Sequence, residues 1–212
     1  MPEGLFITFE GIDGSGKTTA MERAAKDLTE EGFDVLTTRE PGATELGQKI
    51  REVLLSYEGE VSDECEKFLF LADRAWHVDS VIRPALKAGK IVLCDRYIDS
   101  TLAYQGFGRG GNIAELEALN NSATGNLKPD LTLLFDLDIE TALERAGKNK
   151  DRMESAGAKF FSRTKRGYLE LASRNSSVIK VINAQNSKET VYKDVKKFII
   201  ELTDGLRLKN RN

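Results

Sequence analysis

The stretch Phe9-Glu10-Gly11-Ile12-Asp13-Gly14-Ser15-Gly16-Lys17-Thr18-Thr19 holds the residues whose spacing most directly implies chemistry. Gly11, Gly16, Lys17 and Thr18 satisfy G-x-x-x-x-G-K-[ST], placed directly after the apolar run Leu5 to Phe9 and before a helical pattern that starts near Lys17. Glycines let the backbone curl so that successive N–H groups point at phosphate oxygens, and the following helix turns its positive end on the same anion. The expected ATP cradle is Gly11, Ile12, Asp13, Gly14, Ser15, Gly16, Lys17, Thr18 and Thr19. Within it, Lys17 reaches the β- and γ-phosphates and the Thr18 hydroxyl ligates Mg²⁺. Such a loop establishes nucleotide binding without separating kinases from switches and motors.

A second metal ligand is expected from an acid at the end of another strand. Asp95, after Ile91-Val92-Leu93-Cys94, and Asp136, after Leu131 to Phe135, are the two candidates. Arg96 follows Asp95 at once and puts a phosphate-binding cation beside the metal-side acid, which favours Asp95. A kinase also needs a site for its anionic acceptor, and Arg39 and Arg96, each at a strand end, supply planar forks that match phosphate oxygens. Between two helical patterns, the cationic segment Lys148-Asn149-Lys150-Asp151-Arg152 suits a cover that excludes water, with a lid over about 147–157.

These residues must be held by a scaffold, and the apolar pattern describes one. Strands are expected at Leu5 to Phe9, Asp34 to Thr38, Ile91 to Cys94, Leu131 to Phe135 and Val178 to Ile182. Helical spacing separates them: Met21, Ala24, Ala25 and Leu28 stopped by Gly32, then Ile50, Val53 and Leu54, then a long run from Ser62 to about Leu86 weakened near Pro84. Asn112 with Glu115 resembles a capping box, and helices follow at Ile139 to Ala146, around Phe160 to Leu171, and at Glu189 to Leu206. Buried strands alternating with helices predict an α/β P-loop NTPase fold: a five-stranded parallel sheet flanked by helices on both faces, in a single domain over 1–212. The tail Lys209-Asn210-Arg211-Asn212 is expected to fray.

Charged residues at 31% and hydrophobic ones at 40% indicate a soluble globular chain. A net charge of −3 argues against an extended nucleic-acid surface, and no apolar run approaches a membrane span, so the expected setting is cytoplasmic. Cys65 and Cys94 fit neither a redox nor a zinc spacing, and Cys94 reads as a reduced strand residue. His77 is the only histidine, which excludes multi-histidine metal sites and leaves it structural or solvent-facing.

With the phosphate loop, Arg39-Glu40-Pro41-Gly42, Phe70-Leu71-Ala72-Asp73-Arg74, Asp95-Arg96-Tyr97 and Ser100-Thr101-Leu102-Ala103-Tyr104-Gln105-Gly106 in this order, the chain resembles the thymidylate kinases over nearly its whole length. The resemblance implies ATP-dependent conversion of dTMP to dTDP with Mg²⁺, in a homodimer. It implies that Asp13 contacts the sugar hydroxyl, that Arg39 and Arg96 hold the dTMP phosphate, and that Phe70 stacks on thymine while Arg74 bonds its edge. Ser100, Thr101 and Gln105 would lie near the base, and Tyr104 would crowd the 2′ position of the sugar. Members differ in whether the catalytic arginine sits in the phosphate loop or in the lid; here Ser15 precedes Gly16-Lys17 and the loop contains no arginine, so the resemblance is to the bacterial arrangement in which Arg152 of the lid takes that role. Arg145 would border adenine. Asp13 is a departure, since bacterial members often have Glu there.

Two other classes compete. A kinase for a different monophosphate or a deoxynucleoside would keep the loop and change the residues around Phe70 and Arg74. A nucleotide switch would hydrolyse without an acceptor, but Asn149-Lys150-Asp151 lacks the spacing of a guanine-reading motif. The Gly16-Lys17-Thr18 ending also speaks against a dinucleotide oxidoreductase.

Overall fold

The computed structural model describes residues 4–146 and 157–209. Five strands, β1 (Leu5–Glu10), β2 (Val35–Arg39), β3 (Ile91–Asp95), β4 (Leu131–Asp136) and β5 (Ile179–Asn183), form one parallel sheet in the order β2-β3-β1-β4-β5. The central strand β1 is buried throughout, as its near-continuous apolar sequence requires. Register pairs Arg39 with Asp95 and Phe9 with Asp95, so the carboxyl ends of β1, β2 and β3 finish together at one sheet edge.

Alternation along the strands builds a core on each face. Phe6, Val92 and Cys94 pack with Val78, Ile82 and Ala85, while Leu5, Ile7 and Phe9 join a larger core that includes Met21, Ala24, Leu28, Val195 and Ile199. Burial pushes the Cys94 thiol up, so it remains protonated and acts as a small apolar group.

The helices are α1 (Lys17–Glu30), α2 (Glu45–Ser56), α3 (Asp63–His77), α4 (Arg83–Lys87), α5 (Ile98–Thr101), α6 (Ile113–Thr124), α7 (Ile139–Ala146), α8 (Ala158–Arg174) and α9 (Lys188–Lys209). Ser62 and Asn112 cap α3 and α6 through their side-chain oxygens, as their sequence positions suggest. Pro84 does not break the long helical run. It sits in the first turn of α4, where its missing N–H costs nothing, and wider π turns over Val78–Ile82 join α3 to α4. A second set of π turns, Leu102–Gly108, extends α5 beside the sheet edge. The last helix reaches Lys209, and Asn210, Arg211 and Asn212 of the tail lie outside the described residues.

Candidate active site

Two glycines shape the phosphate loop. A Cβ on Gly11, at φ 138°, would stand 2.6 Å from the Phe135 carbonyl oxygen, and Gly16, at φ 87°, turns the chain into α1. Lys17 is buried, with Nζ 3.3 Å from Asp13 Oδ1. Burial and the Arg96 charge lower the Lys17 pKa, against the pull of Asp13 and Asp95. The Ser15 hydroxyl is buried without a partner among the described residues. Arg145 lies against the loop, its Nη1 donating to the Gly14 carbonyl at 3.4 Å.

The two candidate metal acids differ in their surroundings. Thr18 Oγ1 donates to Asp95 Oδ2 at 2.7 Å, and Asp95 Oδ1 is buried with no partner among the described residues. A hydroxyl and a half-satisfied carboxylate together fit a hard, oxygen-seeking cation such as Mg²⁺. Asp136 is instead ion-paired with Lys165 at 2.9 Å.

Beside the loop opens a cleft walled by residues of the phosphate loop, α2, α3 and the segment after β3. Of the nine expected acceptor residues, eight line it: Asp13, Phe70, Arg74, Arg96, Ser100, Thr101, Tyr104 and Gln105. Arg39 does not; it is exposed at the end of β2 and makes no hydrogen bond or ion pair among the described residues. Arg96 Nη2 donates to Asp13 Oδ1 at 2.7 Å and approaches the Tyr104 hydroxyl at 3.3 Å, with the guanidinium 5.1 Å from the Tyr104 ring centre. Burial alone would raise the Asp13 pKa, but the Arg96 and Lys17 charges outweigh it and hold the carboxyl well below the usual range. Asp13 therefore remains anionic between two cations.

Arg74 is built into the wall more deeply than a base-reading side chain needs to be. It is 1% exposed and donates to Glu40 Oε2 (2.7 Å), Thr101 Oγ1 (2.6 Å), Asn120 Oδ1 (2.6 Å) and the Tyr97 carbonyl (2.8 Å), which leaves one Nη2 N–H of its five donors. Gln105 is likewise engaged, through Glu66 at 2.9 Å. Phe70 is half-buried and faces the cleft. His77 is structural, buried between Glu40 and Thr38. Arg152 lies outside the described residues, as does the lid segment 147–156.

Sequence reasoning missed four residues here. Arg51 and Leu55 of α2 line the cleft, with Arg51 donating to the Pro41 carbonyl at 3.0 Å. Glu10 and Tyr168 meet behind Arg96, where the Tyr168 hydroxyl donates to Glu10 Oε2 at 2.8 Å. The available signal was Glu10 itself, a carboxylate closing an otherwise apolar strand.

Residues 9–195 match the family model described as Thymidylate kinase. The chain is 47% identical over 197 residues to the thymidylate kinase of Desulfovibrio desulfuricans, covering 88% of this chain and 91% of that protein. It is 46% identical over 207 residues to that of Pelotomaculum thermopropionicum, covering 96% of each. Among solved structures, thymidylate kinase from Ehrlichia chaffeensis superposes with a TM-score of 0.78 at 35% identity, over 93% of this chain and 99% of that one.

Proposed function

Because the chain belongs to the thymidylate kinase family and phosphorylates dTMP to dTDP, we propose that the cleft takes dTMP and the loop takes ATP, with a specific division of labour between them. The observation that carries this is Arg96: its guanidinium stands over the cleft, tied to Asp13 of the loop, so a phosphate on Arg96 lies next to the γ-phosphate on Lys17. An acceptor phosphate oxygen attacks the γ-phosphorus, the bond to the β–γ bridging oxygen breaks, and ADP leaves. Lys17 and Arg96 hold the two anions together and offset their repulsion, while Asp13 fixes both cations and meets the sugar. Arg39, free of partners among the described residues, turns to the acceptor phosphate as the second cation. Thr18 and Asp95 would hold Mg²⁺, which when bound neutralises charge on the β- and γ-oxygens.

Phe70 stacks on thymine, Ser100, Thr101 and Gln105 wall the base, and Tyr104 excludes a 2′-hydroxyl. Arg74 offers its remaining N–H to the base edge. On the donor side, Arg145 borders adenine, and Arg152 of the lid supplies positive charge to the transition state because the loop has no arginine. The protein works as a homodimer in the cytoplasm. Leu46 and Val53 on α2 and Phe68 and Trp76 on α3 are exposed large apolar residues on two helices that pack together, which suits a second copy. No described helix is long and apolar enough to cross a membrane.

Steady-state ADP release tests the scheme. With Arg152→Ala, kcat is expected to fall about 100-fold or more while the KM for dTMP changes little, since the lost contact forms in the transition state. An unchanged kcat moves the catalytic arginine elsewhere.

A further inference from the structure

Glu10 is the last residue of β1 and is completely buried, yet it lines neither the cleft nor the metal pair. Its carboxylate accepts four hydrogen bonds: the Tyr97 N–H (2.7 Å) and Ser100 N–H (3.3 Å) at Oε1, and the Ser100 hydroxyl (2.6 Å) and Tyr168 hydroxyl (2.8 Å) at Oε2. A buried carboxylate so fully engaged is costly to install, and every one of its partners touches or adjoins Arg96.

Arg96 has φ 72°, in the left-handed region that side chains other than glycine avoid at a cost of about 1 kcal/mol. Two successive residues of β1 hold it there. The Arg96 N–H donates to the Phe9 carbonyl at 3.0 Å, and the next N–H, of Tyr97, donates to the Glu10 carboxylate. Polarity adds a second constraint. Ser100 and Tyr168 each have one hydroxyl proton, and a carboxylate attracts both, which leaves their lone pairs facing Arg96 Nη1, 3.3 Å from each.

We propose that Glu10, acting with Tyr168, is a positioning residue that sets the backbone and guanidinium of Arg96 for the acceptor phosphate. The inference rests on Arg96 being the residue that binds that phosphate. A glutamine at this position keeps the shape but brings an N–H₂ donor, which turns a hydroxyl proton from the carboxylate toward Arg96 and repels it. The expected result for Glu10→Gln is a rise of about tenfold in KM for dTMP, with the KM for ATP within about twofold.

The test is a double-mutant cycle with Arg96→Lys, read as KM for each substrate, and it includes Tyr168→Phe, which removes only a hydroxyl, should Glu10→Gln fold poorly. Support is a Glu10→Gln or Tyr168→Phe effect on dTMP that shrinks below about twofold once Arg96 is lysine. Multiplicative effects, or equal losses for both substrates, overturn the positioning role while leaving the cleft assignment intact. An Arg96→Lys enzyme with unaltered KM for dTMP overturns the assignment of Arg96 itself and this inference with it.

Discussion

Thr18 Oγ1 donates to Asp95 Oδ2 at 2.7 Å across 77 residues of sequence, and the other Asp95 oxygen is buried with no partner among the described residues. A structural pair would satisfy both oxygens; this one leaves an acceptor in reserve at the foot of the phosphate loop. Asp95→Asn removes the anionic ligand with little change of shape. It should lower kcat by about 100-fold at ordinary Mg²⁺ and shift the half-saturating Mg²⁺ concentration upward. A Mg²⁺ titration at fixed ATP checks this. An unshifted titration would return the metal role to Asp136, against its ion pair with Lys165.

Arg39 separates affinity from stability. Its side chain is exposed and has no ion pair among the described residues, so Arg39→Ala should leave the melting temperature within about 1 °C. Its contribution appears when dTMP binds, as a rise of about tenfold or more in KM for dTMP, since a hydrogen bond to a charged group contributes about 1.5–3 kcal/mol. Calorimetric titration of both nucleotides reads it. Equal weakening of ATP would place Arg39 on the donor side.

Asp73 should make stability fall as pH rises. It is 1% exposed; Oδ1 accepts the Gly42 N–H at 3.1 Å, and Oδ2 is buried without a partner among the described residues. Burial, and then the neighbouring Glu40 charge, push its carboxyl up to about 6 from an ordinary 3.8, against the Gly42 N–H, His77 and Arg74. The native state thus binds this proton more tightly than the unfolded chain. The associated stability is complete below pH 3.8 and is lost as pH rises to about 6. The loss is on the order of 3 kcal/mol. Asp73→Asn keeps a carbonyl for Gly42 and has no charge to bury, so it should melt several degrees above the parent protein at about pH 8, the two converging near pH 4. Parallel curves across that range would show that Asp73 does not titrate there.

The sheet and the phosphate loop were legible because each rests on local pattern: five apolar runs of strand length, and glycines at fixed spacing before a helix. Pro84 and the π turns were not, since one or two wide turns displace the apolar spacing by about a residue, too little to stand out within a long helical pattern. The site divides the same way. Asp13 lies in the glycine loop after β1, Lys17 and Thr18 open the helix that follows it, and Arg96 directly follows β3, so local pattern alone nominates them. Glu10 and Tyr168 come from β1 and α8, separated by 158 residues, and a tyrosine within an apolar helix face looks like core. Only the crossover that lays α8 beside the π turns after α5 brings them together.

Phe70 and Arg74, one helical turn apart, should respond oppositely to truncation. Phe70 is half-buried in the cleft, so Phe70→Ala costs a modest amount of stability. Its main effect is the lost stacking surface, read as a rise of roughly tenfold in KM for dTMP with little change for ATP. Arg74 instead commits four N–H groups to Glu40, Thr101, Asn120 and Tyr97 inside the protein. Removing it strands Glu40 as a buried carboxylate whose remaining partner is His77 at 2.9 Å. Arg74→Ala should therefore cost about 3–5 kcal/mol of stability, as breaking a buried ion pair does, and be seen first in denaturant unfolding. If Arg74→Ala melted normally and lost only dTMP binding, its guanidinium would be serving the base rather than the wall. The four short hydrogen bonds argue for the wall: one spare N–H can select a base only because the other four hold it still.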